Sequence, residues 1–371
     1  MAAVALRLAA FPHAARLAIL ALAYFAAAKA SLVFAIPPGY ATAVWLPSGI
    51  AVAAVVLWGT RCLPGVWLGA ALANFSVNLS IPAAVGIATG NTLEALCAGS
   101  LAASLYGRSG EGFRGPEQVF VFALLAAAAS AIAATVGTGA LWLTGEIPRA
   151  SFVAQWYTWW QGDTTGILVI APCVLAWAGA ARLPPRPMHR HEMGAFALLF
   201  VLVLALVFTR VPVDGATRTI AFLAFPFLAW AACRFSERAV TTSVLAAAAL
   251  AVWCTVNDRG PFAGASLNES LLTLQAFTST AVLIALALGA LTRERERALR
   301  TLSASHDALD EAVRAQGIAL GAREQEFAQA QALAHLGLWS WDARTDRMAW
   351  SDELCRIHGI EPGAFAGSFA D

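Results

Sequence analysis

Three ionisable residues sit inside long apolar stretches: Lys29, Glu94 and Asp163. Charge is costly in such surroundings and is kept where it binds, pairs or moves charge. Asn74, Asn78 and Asn91 lie on neighbouring stretches and add amide donors and acceptors. Together these groups suit an outward-opening pocket for a small polar or charged ligand. They equally suit a buried ion pair that joins helices, with Lys29 free to extend its ammonium toward the surface. A dense aromatic group, Gln155-Trp156-Tyr157-Thr158-Trp159-Trp160, opens the stretch that carries Asp163. Tryptophan and tyrosine favour a membrane interface on physical grounds alone, and Trp159 and Trp160 could also form an aromatic wall for a ligand. The six cysteines (Cys62, Cys97, Cys173, Cys233, Cys254, Cys355) stand singly, mostly in apolar runs. That spacing reads as small apolar packers and makes neither a disulfide framework nor a metal site. No cofactor is expected.

The elements that must hold these residues are membrane helices. Of 371 residues, 59% are apolar and 13% charged, against about 45–50% and about 25% for soluble domains. The apolar excess runs from residue 14 to about 291, and the last eighty residues are ordinarily polar. A net charge of +1, with no clustered basic stripe, argues against nucleic acid as a partner. Arg7 and Arg16 before an apolar run, with Ala28-Lys29-Ala30, resemble a signal peptide. The run continues to Ile36, however, and Lys29 is an unusual charge beside a cleavage site, so an uncleaved first span is expected.

A spanning helix needs about 20 apolar residues. Ten candidates result: 14–36, 43–59, 63–80, 83–105, 118–143, 152–179, 193–209, 219–234, 238–256 and 270–291. The second, third, seventh and eighth are short or contain proline, and eight spans remain if two of these are re-entrant. Loop charges supply orientation, because cytoplasmic loops carry the Arg and Lys excess. With the N-terminus inside, the inner segments hold fourteen arginines and the outer loops four, Arg149, Arg210, Arg218 and Arg259. Both termini are then cytoplasmic. At 1.5 Å rise per residue, Lys29 lies about 10 Å below the outer surface, and Glu94 and Asp163 about 15 Å below it.

From Leu291 to about Ala334 the chain is polar but keeps an apolar column at sevens, Leu299, His306, Val313, Leu320 and Phe327, with Leu302 and Leu309 beside it. The spacing predicts a parallel two-helix coiled coil and hence a homodimer through residues 292–331, with a solvated linker helix as the alternative. Gln316 and Arg323 on the second column, with Gly317 and Gly321, make that coil marginal. Next, Leu336 to Asp342 alternates apolar and polar residues, Ala343-Arg344-Thr345-Asp346 reads as a turn, and Arg347-Met348-Ala349-Trp350 alternates again. These residues predict a hairpin, followed by a short helix from Ser351 to near Gly359. The order A-H-L-G-x-W-x-W-D, turn, W-S-D-E-L-x-R-I-H-G resembles the opening of a PAS sensory domain over residues 332–371. Such a domain takes roughly a hundred residues, so the 371 residues are expected to be a fragment or a truncated gene product.

Four further groups share an order and spacing: Trp45-Leu46-Pro47-Ser48-Gly49-Ile50-Ala51; Arg61 with Pro64-Gly65-Val66-Trp67-Leu68-Gly69-Ala70 and Asn74; Gly90-Asn91-Thr92-Leu93-Glu94-Ala95; and Trp159-Trp160-Gln161-Gly162-Asp163 with Gly166-Ile167-Leu168 and Ala171-Pro172. In these the chain resembles the first membrane-associated sensor (MASE) domain family over residues 14–292. The resemblance implies an integral membrane input module of bacterial sensor histidine kinases or cyclic-di-GMP enzymes, and it raises the standing of Glu94, Asp163 and Asn91. Lys29 matches no such motif. Ser305-His306-Asp307 invites comparison with a kinase phosphoacceptor box, but the Arg and Pro that should follow are replaced by Ala308-Leu309-Asp310-Glu311. No glycine-rich nucleotide loop or GGDEF run occurs, so kinase or cyclase chemistry is not expected of these residues.

The expectation is therefore an all-α polytopic membrane protein of about ten transmembrane helices, or eight, followed by a cytoplasmic coil and an incomplete α+β PAS segment. Its parts are 1–13, a cytoplasmic N-terminus; 14–292, the sensor; 293–331, the signalling helix; and 332–371, the PAS start. It would sit in the inner membrane and sense a small ligand or a membrane partner protein for a kinase, or a diguanylate cyclase, beyond the chain. Broken helices with midplane charge also describe a small-molecule transporter, and a non-functional gene fragment is the remaining alternative.

Overall fold

The computed structural model describes residues 11–33, 42, 44–77, 79–106, 112–178, 190–210, 220–263, 267–362, 365 and 367. Asn78 lies outside them, as do Arg7, Arg108, Arg182, Arg186 and Arg218 of the loop-charge argument. Each of the ten apolar stretches contains a helix. These are α1 (His13–Leu32), α2 (Leu46–Trp58), α3 (Leu63–Phe75), α4 (Ile81–Tyr106), α5 (Pro116–Leu143), α6 (Phe152–Ala178), α7 (Arg190–Ala205), α8 (Ala224–Arg234), α9 (Glu237–Val256) and α10 (Leu267–Ala334). A hairpin of β1 (Trp339–Asp342) and β2 (Arg347–Trp350) and a short α11 (Asp352–Ile357) follow.

Proline marks several starts: Pro47 in α2, Pro64 in α3 and Pro116 in α5 all occupy the first helical turn. The missing N–H has no intrahelical partner to lose there, and the fixed φ suits the helix. Ser236 caps α9 by accepting from the Ala239 N–H. Among the described residues, five helices are long and apolar enough to cross a membrane: α1, α5, α7 with the turn that extends it to Thr209, α9 and the first part of α10. Helices α2 and α3 have 13 residues each, about 20 Å of rise, short of the roughly 30 Å hydrocarbon core. The structure thus makes the second and third expected spans shorter than the sequence runs of 43–59 and 63–80.

Large apolar side chains face outward on many helices. Leu22, Leu124, Leu198 and Val201 are each more than 60% exposed, as lipid-facing residues would be and as a water-facing surface would not tolerate at this density. Inward, small residues let α5 pack closely against both α4 and α6, while α6 packs on α2 and α4 packs on α2 and α3. Val52, Phe122, Ile167 and Leu175 belong to the main core, and Leu20, Tyr24, Val55 and Val66 form a second cluster among α1 to α4.

Helix α10 runs for 68 residues without interruption. Its first part buries Leu271, Leu274, Phe277, Ala281 and Ala285, at the three- and four-residue spacing of one helix face. Its later part exposes Leu299, Leu302, Leu309, Val313, Leu320 and Phe327. It passes through Gly317 and Gly321, where the sequence predicts weakness. His306 is exposed and stands 3.5 Å from Asp310, one helical turn on.

Chain contacts divide into residues 1–296 and 297–371, against an expected boundary at 292. Within the second unit the hairpin pairs Trp339 with Trp350 and Trp341 with Met348. In its turn Asp342 accepts from the Arg344 backbone N–H at 2.9 Å, and that contact, with one from Thr345, holds its carboxyl below the usual range. Ser351 then caps α11, accepting from Leu354 N–H at 3.3 Å and from Leu338 N–H at 3.0 Å.

Candidate functional site

Two glycines allow α2 and α6 to cross in contact. A Cβ on Gly49 would overlap the carbonyl oxygen of Gly166, and one on Gly166 would overlap the carbonyl oxygen of Trp45. The chain just before α2 is tied to α6 as well, since Trp45 N–H donates to the Gly162 carbonyl at 3.0 Å. This crossing places Ser48, in the first turn of α2, against Asp163 of α6. Glu94 of α4 reaches the same point from the other side.

The Ser48 hydroxyl lies 2.7 Å from Glu94 Oε2 and 3.0 Å from Asp163 Oδ1. All three residues are buried, Asp163 at 0% exposure and Glu94 and Ser48 at 1%. A hydroxyl has one hydrogen to give. It therefore donates to one carboxylate, and the second contact is a hydrogen bond when the other carboxyl carries a proton and donates to Ser48 Oγ. The geometry thus joins two buried carboxyls through one serine hydroxyl. The second oxygens, Glu94 Oε1 and Asp163 Oδ2, have no hydrogen-bond partner.

One turn from Glu94 on the same face of α4, Asn91 donates to the Tyr24 hydroxyl of α1 at 2.9 Å, leaving its own carbonyl oxygen unpartnered. Trp45 also has an unpartnered indole N–H. Beside Asp163 a cavity of about 30 Å³, measured as room for the centres of water-sized groups, is lined by Leu32, Thr42, Trp45, Ala73, Asn74, Val77, Ile87, Trp159, Gly162 and Asp163. Those residues come from the end of α1, the approach to α2, the end of α3, and the early turns of α4 and α6, which the fold gathers at one end of the bundle.

Of the residues singled out in the sequence, Glu94, Asp163 and Asn91 come together, and Asn74 and Trp159 line the adjoining cavity. Asn74 spends its amide N–H on the Ala70 carbonyl at 2.8 Å. Lys29 does not join them: it is exposed, and its ammonium donates to Ser76 Oγ at 3.2 Å. Similar depth brings Lys29 into the sequence argument, but its place on α1 turns it toward the end of α3. Trp160 is also elsewhere, donating to the Ala127 carbonyl of α5 at 2.6 Å and stacking on Trp156 with centroids 5.9 Å apart. Ser48, Tyr24 and Trp45 were not marked as site residues by their sequence alone. The signals for Ser48 are its place, with Trp45, in the first group of the family resemblance and its polar hydroxyl inside an otherwise apolar run.

Among the described residues no group of three or more His, Cys, Asp or Glu could hold a metal ion. No curated protein and no solved structure matches the chain. The MASE1 family model matches residues 16–296, which takes in every helix that builds the carboxyl pair, the Asn91–Tyr24 contact and the cavity beside them. On that match, covering well over half of its length, the chain belongs to the MASE1 family of membrane-associated sensory domains.

Proposed function

We propose that the chain is the signal-input part of a bacterial inner-membrane sensory protein. A ligand or membrane partner shifts the packing of α1 to α9, and α10 carries the change, as one strand of a dimeric coiled coil, toward a PAS domain and an effector of the histidine kinase or cyclic-di-GMP class. The observation that carries this reading is α10 itself. One unbroken helix begins as a packed member of the sensory bundle and continues into an exposed stretch with heptad leucines. Such an element converts a small displacement at its buried end into rotation or register change further along. The hairpin and capped helix that follow agree with the PAS resemblance of residues 332–371.

A ligand shifts such an equilibrium only if it binds the two packings with different affinity, and the buried carboxyl pair is where that difference would be felt. The test fuses residues 1–334 to an intact histidine kinase and measures phosphorylation in membranes. Glu94→Gln and Asp163→Asn are expected to change the output at equal membrane level. Unchanged output from both would sink the pocket, and saturable uptake of a solute into vesicles would instead favour the transporter reading.

A further inference from the structure

We infer that the cavity beside Asp163 is a binding site for a small organic ammonium ion, the charged head resting on the free carboxylate oxygen and a short apolar body lying against the wall. The inference rests on the sensory reading above and names the ligand class for it. Three observations carry it. The first is the acid pair itself: Glu94 and Asp163 meet at one serine hydroxyl, and among the described residues no Lys, Arg or His contacts either carboxyl. A buried carboxylate without a cationic partner is costly, and a bound cation relieves that cost. The second is the aim of Asp163: it is fully buried, it lines the cavity, and its Oδ2 has no hydrogen-bond partner, although the Trp159 side chain approaches it.

The third is the wall. Leu32, Val77 and Ile87 offer no ligating atoms, Thr42 and Asn74 bring one side-chain oxygen each, and Trp45 and Trp159 bring aromatic rings to the lining. Aromatic faces attract organic cations, whereas a hard metal ion takes about six or more oxygens. Room for one or two water-sized groups, about 30 Å³, admits an ammonium head.

The probe is butylammonium chloride, titrated calorimetrically into the full chain in lipid nanodiscs at constant ionic strength, with butanol, sodium butyrate and sodium chloride in parallel. Saturable binding of butylammonium alone is expected, weakened by about tenfold or more in Asp163→Asn. Since that variant perturbs the buried group, Val77→Trp provides a second probe: it puts a large side chain into the cavity lining, leaves both carboxyls intact and is expected to abolish binding. No butylammonium binding, equal binding of butanol, or binding unaffected by both variants overturns the ammonium assignment. The kinase fusion separates the two levels. If Asp163→Asn changes its output while butylammonium does not bind, the ligand class fails and the sensory reading stands. If butylammonium binds through Asp163 and leaves the output unchanged, the assignment stands and signalling through this site fails.

Discussion

Ser48 is the residue on which the buried polar group turns. Its single hydroxyl keeps two carboxyls, 46 and 115 positions away in sequence, within hydrogen-bonding distance of one atom. Removing it leaves two acidic groups facing one another with no bridge. Ser48→Ala is therefore expected to destabilise the bundle by about 1–3 kcal/mol, the usual consequence of stranding a buried polar group, and thermal unfolding in detergent should show a lower midpoint. Glu94, Asp163 and Asn91 were legible in the sequence because an ionisable or amide side chain inside an apolar run is costly and is kept where it binds, pairs or moves charge. Ser48 was not, because a serine in an apolar helix ordinarily returns its hydroxyl to the carbonyl one turn back. Thr89, Thr92 and Thr164 do this with their own hydroxyls. Lys29 shows the converse error: depth along a helix follows from counting residues, but which neighbour a side chain meets depends on its angular position around the axis.

At the scale of elements, the crossing of α2 and α6 depends on backbone approach at Gly49 and Gly166. A methyl group on Gly166 would meet the Trp45 carbonyl, which belongs to the backbone and has no rotamer to escape into. Gly166→Ala is expected to cost about 1–3 kcal/mol as overpacking and to pull Ser48 away from Asp163. Gly194→Ala on α7, where nothing lies within 4 Å of the added atom, should instead stabilise slightly, by about 0.5–1 kcal/mol through helix propensity. Comparing the two melting midpoints checks both. For α10 the proposed coil makes a prediction of its own. Val313 lies on the heptad column and is exposed in the single chain, so Val313→Cys, with exposed Cys233 changed to Ser, should cross-link to a second copy under mild oxidation. Arg314→Cys should do so poorly. Equal cross-linking at both positions would remove the heptad seam.

For the molecule as a whole, an apolar outer surface, an interior polar group and arginine-bearing connections describe a body that sits in lipid with a preferred direction. The loop charges predict that both termini lie on the cytoplasmic side. Alkaline phosphatase fused after Asp371 should then be inactive, whereas an insertion at Gly145, between α5 and α6, should give active enzyme. Activity at both points would reverse the orientation. The membrane character, the helical class, the hairpin and the family were readable from residues 1–371 in order, since each rests on local composition, on a period of 3.6 or 2, or on motif spacing. What the linear chain left open was which polar groups share one point in space. Serine, glutamate and aspartate meet because glycines let two helix backbones approach to contact, and lysine is turned away because its helix presents another face. Both are consequences of helix rotation and crossing, which residue spacing along a single chain does not encode.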